Sequence, residues 1–166
     1  MIYGFNAGEA FKIALEIEEN GRLFYEKAQS KTDDPEVKKI FAELGQEELN
    51  HKARFTVLLA ELPQETTGST VWDPQNEIDQ YLKMTADMHV FRTSANVEDA
   101  LAKIGGPVEA LKLAIGFEKD SIIFFLEMQG LAEGADSAKK IGQLVKEEQT
   151  HLKKLSLLVN KLVCEK

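Results

Sequence analysis

The chain has 166 residues, of which 43% are hydrophobic, and carries a formal net charge of −8; the length suits one domain with a substantial core. No apolar run approaches the roughly 18 residues that a membrane span needs, and the acidic balance argues against nucleic acid or an anionic membrane as a partner. The single cysteine, Cys164, excludes an internal disulfide or a four-cysteine metal knuckle within this chain, and with no basic-then-apolar leader at the N-terminus the expected location is the reducing cytoplasm.

Residues 7–30 predict a first helix, because Phe11, Ala14, Leu15, Glu18, Gly21, Tyr25 and Ala28 fall on one stripe at helical spacing. Lys31-Thr32-Asp33-Asp34-Pro35 is a stop-and-restart signal, with polar caps followed by a proline suited to a first turn. A second helix is expected over 35–61, with Phe41, Leu44, Glu48, His51, Phe55, Leu58 and Leu62 on its stripe and Leu62-Pro63 ending it. Residues 64–71 read as loop. Asp73-Pro74 opens a shorter helix ending near Phe91, and Ser94 or Asn96 caps another through Ile104. Gly105-Gly106-Pro107 breaks the chain before a third long helix over 107–132. Gly134 stops that helix, Asp136 or Ser137 caps the fourth, and the fourth runs to about Val163.

The long helices repeat. Glu47-Glu48-Leu49-Asn50-His51 recurs as Glu147-Glu148-Gln149-Thr150-His151, an offset of 100 residues. The same offset aligns 11–29 with 111–129, including Lys12/Lys112, Ala14/Ala114, Glu18/Glu118, Phe24/Phe124 and Gln29/Gln129, and aligns 39–58 with 139–158. The chain is therefore a duplicated helical hairpin. Helices of about 35 Å or more need a connection of at least roughly 11 extended residues to travel the length of a bundle, and the middle segment is far longer. The expected fold is all-α: a ferritin-like four-helix bundle of two duplicated hairpins, about 7–62 and 107–163, joined by a long helical crossover over 63–106.

Glu18, Glu48, Glu118 and Glu148 each sit where the apolar stripe of their helix calls for a core residue. Burying an unpaired carboxylate costs several kcal/mol, against a net domain stability of about 5–15 kcal/mol. Four such charges require compensation that two histidines cannot supply, whereas two divalent cations balance them. His51 and His151 lie one turn beyond Glu48 and Glu148, on the same helix faces. Carboxylates mixed with imidazoles suit iron or manganese better than magnesium or calcium, and zinc is also compatible. One Glu from each of two helices with Glu-x-x-His from each of the other two is the ligand pattern of ferritin-like di-iron carboxylate bundles.

Glu18-Glu19-Asn20-Gly21-Arg22-Leu23-Phe24-Tyr25 with Glu48-Leu49-Asn50-His51 resembles the paired signature of the rubrerythrin family, as does Glu118-Lys119-Asp120-Ser121-Ile122-Ile123-Phe124-Phe125 with Glu148-Gln149-Thr150-His151. The resemblance covers both repeats. It implies two iron ions bridged by Glu48 and Glu148, with Glu18 and His51 completing one and Glu118 and His151 the other. Two departures stand out. Rubrerythrins carry a further ligand glutamate where this chain has Ser121, so a slower peroxide cycle is expected. Full-length members also carry a four-cysteine rubredoxin domain that this chain lacks, so electrons are expected from an external donor such as a rubredoxin.

Other residues carry blander expectations. Glu19, Glu47 and Glu147 lie off the ligand stripe and are expected to be solvated. Tyr25 is expected to pack beside the site, with a supporting role there as the alternative, and His89 to be a surface or interface histidine. Trp72 and Cys164 carry no functional signal. Ile78, Tyr81, Leu82, Met84 and Met88 need cover, so residues 74–91 are expected to contribute a helix to a homodimer. The function expected is reduction of hydrogen peroxide, or oxygen, at a di-iron centre. The alternatives are a ferroxidase or iron-handling protein, and a non-catalytic bundle stabilised by metal.

Overall fold

The computed structural model describes residues 7–62, 93–132 and 135–164, together with Met84 and His89. Its elements are α1 (Ala7–Ala28), a 3-10 turn (Gln29–Lys31), α2 (Pro35–Glu61), α3 (Ser94–Ala102), α4 (Pro107–Leu131) and α5 (Ala135–Cys164). The duplication is visible in the boundaries themselves: α1 and α4 begin 100 residues apart, as do α2 and α5. No strand occurs among the described residues, and no described helix is long and apolar enough to cross a membrane.

Local chemistry sets the helix starts. Asp34 caps α2, its Oδ1 accepting from the backbone N–H of Glu36 at 2.9 Å and of Val37 at 3.0 Å, and Pro35 occupies the first turn, where its missing N–H costs nothing. Pro107 likewise occupies the first turn of α4, there after Gly106 and without a side-chain cap. The helix expected near 73–91 lies outside the described residues. The short helix after it is present as α3, beginning at Ser94.

The buried sets of the two Glu-x-x-His helices are in register. Phe41, Leu44, Glu48, His51, Phe55 and Leu58 of α2 correspond to Ile141, Leu144, Glu148, His151, Leu155 and Leu158 of α5. Ring contacts give the helix directions. Tyr25, late in α1, meets Phe41, early in α2, and Phe117, early in α4. Phe55, late in α2, meets Phe11, early in α1, and Phe125, late in α4. So α1 is antiparallel to both α2 and α4, and α2 and α4 point the same way. That geometry demands a connection running the length of the bundle, which is the ferritin-like arrangement.

Along the seam between α2 and α5, ion pairs descend in antiparallel order: Glu36 with Lys161 (2.6 Å), Glu47 with Lys154 (3.5 Å), Arg54 with Glu147 (2.9 Å) and Glu61 with Lys140 (2.9 Å). The last three pairs step by seven residues on each helix, or two helical turns. Each exposed pair is worth about 0–1 kcal/mol, so the series fixes register more than it adds stability.

Candidate metal centre

At the middle of the bundle each long helix delivers one glutamate inward. Glu18, Glu48, Glu118 and Glu148 are all 0% exposed, and His51 and His151 are buried beside them. All six residues singled out in the sequence are brought together. The imidazoles present Nδ1 to the carboxylates. His51 Nδ1 lies 3.5 Å from Glu18 Oε2, 3.8 Å from Glu48 Oε2 and 2.7 Å from Glu148 Oε1. His151 Nδ1 lies 3.4 Å from Glu118 Oε2, 4.0 Å from Glu48 Oε1 and 3.0 Å from Glu148 Oε2. Glu48 and Glu148 thus each turn one oxygen to one histidine and the second oxygen to the other. Glu18 faces only His51, and Glu118 only His151.

Whether these residues suit metal ions can be tested on their hydrogen bonding. Among the described residues, every buried side-chain nitrogen or oxygen without a hydrogen-bond partner belongs to this cluster: nine atoms, from the four glutamates and the Nδ1 of each histidine. Native interiors leave few such atoms, each costing about 1–3 kcal/mol or more if charged, so nine in one place mark a ligand shell. Two groupings of donor atoms lie within 4.8 Å of one another, Glu18, Glu48, His51 and Glu148 in one, and Glu48, Glu118, Glu148 and His151 in the other. They share Glu48 and Glu148. The donor set fits two metal ions side by side, and mixed oxygen and imidazole donors suit iron or manganese.

The electrostatics point the same way. Burial, reinforced by Glu148, raises the Glu48 carboxyl well above the usual carboxylate range, and burial likewise raises Glu18. Burial and the neighbouring Glu148 push Glu118 to about 8. Burial also works against an ionised Glu148, but the imidazoles of His151 and His51 beside it hold its carboxyl low. The same contacts outweigh the burial of the histidines, taking His51 to about 9 and His151 to about 11. Without metal the cluster keeps protons to limit its negative charge.

Tyr25 does more than pack. Its hydroxyl donates to Oε1 of Glu118, and burial with the nearby carboxylates of Glu118 and Glu48 raises the phenol well above its usual range.

Two expectations are corrected here. Glu47 and Glu147, expected to be solvated, are half-exposed and clasp the histidines from outside. Glu47 Oε2 is 2.5 Å from His151 Nε2, and Glu147 Oε2 is 3.1 Å from His51 Nε2. Each glutamate reaches across to the other hairpin, with Lys154 beside Glu47 and Arg54 beside Glu147; Arg54 draws the Glu147 carboxyl down. A carboxylate on the outer nitrogen of a ligand histidine fixes which nitrogen carries the proton and how the ring is turned. Glu19 is also engaged, by Arg22 (2.8 Å) and Lys52 (2.8 Å). A signal for the clasps was present in the sequence, since Glu47/Glu147 are identical and Arg54/Lys154 both basic at the repeat offset.

The second correction is His89, which is buried and within 3.1 Å of the Ser121 hydroxyl. Ser121 sits one turn beyond Glu118 and is itself buried, so the crossover reaches the bundle close to the cluster. His89 lies outside the repeat, and nothing in its sequence surroundings marks it.

A four-helix bundle with one long crossover and a Glu/His cluster shared between two halves defines a ferritin-like dinuclear carboxylate protein. The solved structures include a match in Thermotoga maritima, provisionally described as a ferritin-like diiron-carboxylate protein, with TM-score 0.67 and 22% identity over 96% of this chain and 98% of that one. No curated protein matches the sequence. The rubrerythrin family profile matches residues 9–159, and the chain belongs to the rubrerythrin family.

Proposed function

We propose that this protein is a di-iron oxidoreductase that reduces hydrogen peroxide, or dioxygen, with electrons from a separate donor. The observation carrying this reading is the sharing of Glu48 and Glu148 between the two halves of the cluster, a set of donors that would hold two metal ions next to each other. Peroxide reduction takes up two electrons and two protons, breaks the O–O bond and yields two waters. Two adjacent ferrous ions, when bound, supply those electrons one each.

The chain's own residues do the rest. Glu48 and Glu148 would be shared between the two ions, Glu18 with His51 and Glu118 with His151 would complete the two sites, and Glu47 and Glu147 keep the histidines oriented through Nε2. Tyr25 holds its proton at Glu118 Oε1. The rings of Phe24, Tyr25 and Phe41 on one side and Phe11, Phe55 and Phe125 on the other limit water around the cluster. The one cysteine of these 166 residues cannot build a four-cysteine iron site, and a rubredoxin-type centre outside them is the proposed donor. The proposed assembly is a homodimer formed through the crossover.

The test is rapid mixing of iron-loaded, reduced protein with peroxide and with oxygen, followed by a challenge with excess ferrous iron. Fast consumption of peroxide with the iron content unchanged supports the proposal. Oxidation and retention of many irons per chain replaces it with an iron-handling role, and inertness toward both oxidants leaves a bundle that metal merely stabilises.

A further inference from the structure

The four carboxylates are fully buried, yet the reading above requires metal cations to reach them. Several directions are lined by described aromatic residues. Aromatic layers lie along the bundle on either side of the cluster: Phe24, Tyr25 and Phe41 in one, Phe11, Phe55 and Phe125 in the other. Between α1 and α4 the Phe117 ring is wedged so closely on Gly21 that a Cβ there would fall 2.3 Å from it. That ring also meets His89, whose Nε2 lies on Ser121.

The seam between α2 and α5 differs. It carries an open cavity of about 360 Å³, floored by His51 and His151 and walled by Glu47, Glu147, Asn50 and Thr150. The two imidazoles are stacked, centroids 5.4 Å apart and planes within 7°. Their Nε2 atoms face the half-exposed Glu47 and Glu147, and their Nδ1 atoms the buried carboxylates. Between the cavity and the cluster the wall is one imidazole thick.

We propose that this cavity is the route by which divalent metal cations reach the centre, with the His51 and His151 rings as its gate. The inference rests on the dinuclear reading above. Glu47 and Glu147 are the first carboxylates an arriving cation meets, and their present counter-ions, Lys154 and Arg54, are about 40% exposed on flexible stems. Partly exposed pairs of this kind remain open to competition, and a divalent cation competes with Lys154 and Arg54 for the two carboxylates. Turning an imidazole then requires the release of its Nε2 contact with Glu47 or Glu147 and of its Nδ1 contact with Glu148, after which Nδ1 returns as a ligand behind the passing ion.

The experiment uses cobalt(II), whose visible absorption reports binding, mixed with metal-free full-length protein. The variant N50W/T150W fills the cavity from two exposed positions, and K112W, on the exposed face of α4, controls for a surface tryptophan. The double variant should take up cobalt at least about tenfold more slowly than the wild type and reach the same final stoichiometry, while K112W should keep the wild-type rate. An unchanged rate in the double variant, or equal slowing in K112W, overturns the route while leaving the metal centre standing. Wild-type protein that binds no cobalt at all overturns the dinuclear reading, and the route falls with it.

Discussion

Tyr25 donates its hydroxyl hydrogen to Glu118, and the residue 100 positions later, where the repeat would place its counterpart, is Phe125. Glu18 therefore receives no equivalent hydrogen bond, and two halves that match in their ligands differ in what supports them. Tyr25→Phe should weaken metal binding at the Glu118/His151 half by about tenfold, the scale of losing a group that orients a ligand, and leave the other half unchanged. A calorimetric titration should show the gap between the two affinities altered. A uniform loss at both halves would contradict the assignment.

The sharing of ligands predicts unequal losses. Glu18 faces one histidine, while Glu48 turns an oxygen to each. Glu18→Ala should keep one metal ion per chain after anaerobic iron loading and desalting, and Glu48→Ala should keep neither. Elemental analysis reads the difference directly, and a Glu48→Ala protein retaining two ions would remove the bridging role.

The metal-free protein should lose stability as pH rises. Glu118 titrates near 8 in the folded chain, against an ordinary value of 4.5, and Glu18 and Glu48 are displaced in the same direction. Between those limits the folded state holds more protons than the unfolded one, so stability falls with increasing pH. His51 and His151, raised to about 9 and about 11, add stability that is complete below their ordinary 6.5 and disappears as pH climbs through those values. Glu148, held low, contributes above the ordinary carboxylate range and is already saturated there. The melting temperature without metal should drop from about pH 5.5 to about pH 8.5. Metal displaces these protons, so the rise in melting temperature on loading should be larger at the higher pH. A metal-free protein that gained stability toward pH 8.5 would refute this account of the cluster.

Gly21→Ala sets two effects against each other. Alanine favours a helix interior over glycine by about 1 kcal/mol. The added methyl would meet Phe117 at 2.3 Å, and that ring cannot yield easily because it is bracketed by Tyr25 and His89. Overpacking of this kind costs about 1–3 kcal/mol. The expected net result is a lower melting temperature, by about 2–4 °C for each kcal/mol lost in a chain of this size. An increase would mean the ring has room to move.

Much of this was legible in the sequence because it is periodic. Pro35 and Pro107 start α2 and α4 where proline predicts, after the polar cap Asp34 in one case and Gly106 in the other, and the repeat offset fixed which glutamates share a level. Glutamates on an apolar stripe conflict with burial, and that conflict exposed the cluster. What escaped lies where no period operates. Glu47 and Glu147 sit just off the stripe, and their reach to the opposite hairpin depends on how closely α2 and α5 approach, which one helix's pattern does not encode. The burial of His89 depends on the path of a connection with no counterpart in the repeat.

The division of ligands also bears on how the chain folds. Each hairpin, α1–α2 and α4–α5, brings two inward glutamates and one histidine, half a set. Contacts within a hairpin are local in sequence and close short loops, whereas docking one hairpin on the other brings four carboxylates together. That docking is the step that metal favours, so cations act as the fastener between the two hairpins. Glu47 and Glu147, each holding a histidine of the opposite hairpin, would set the alignment in which it closes.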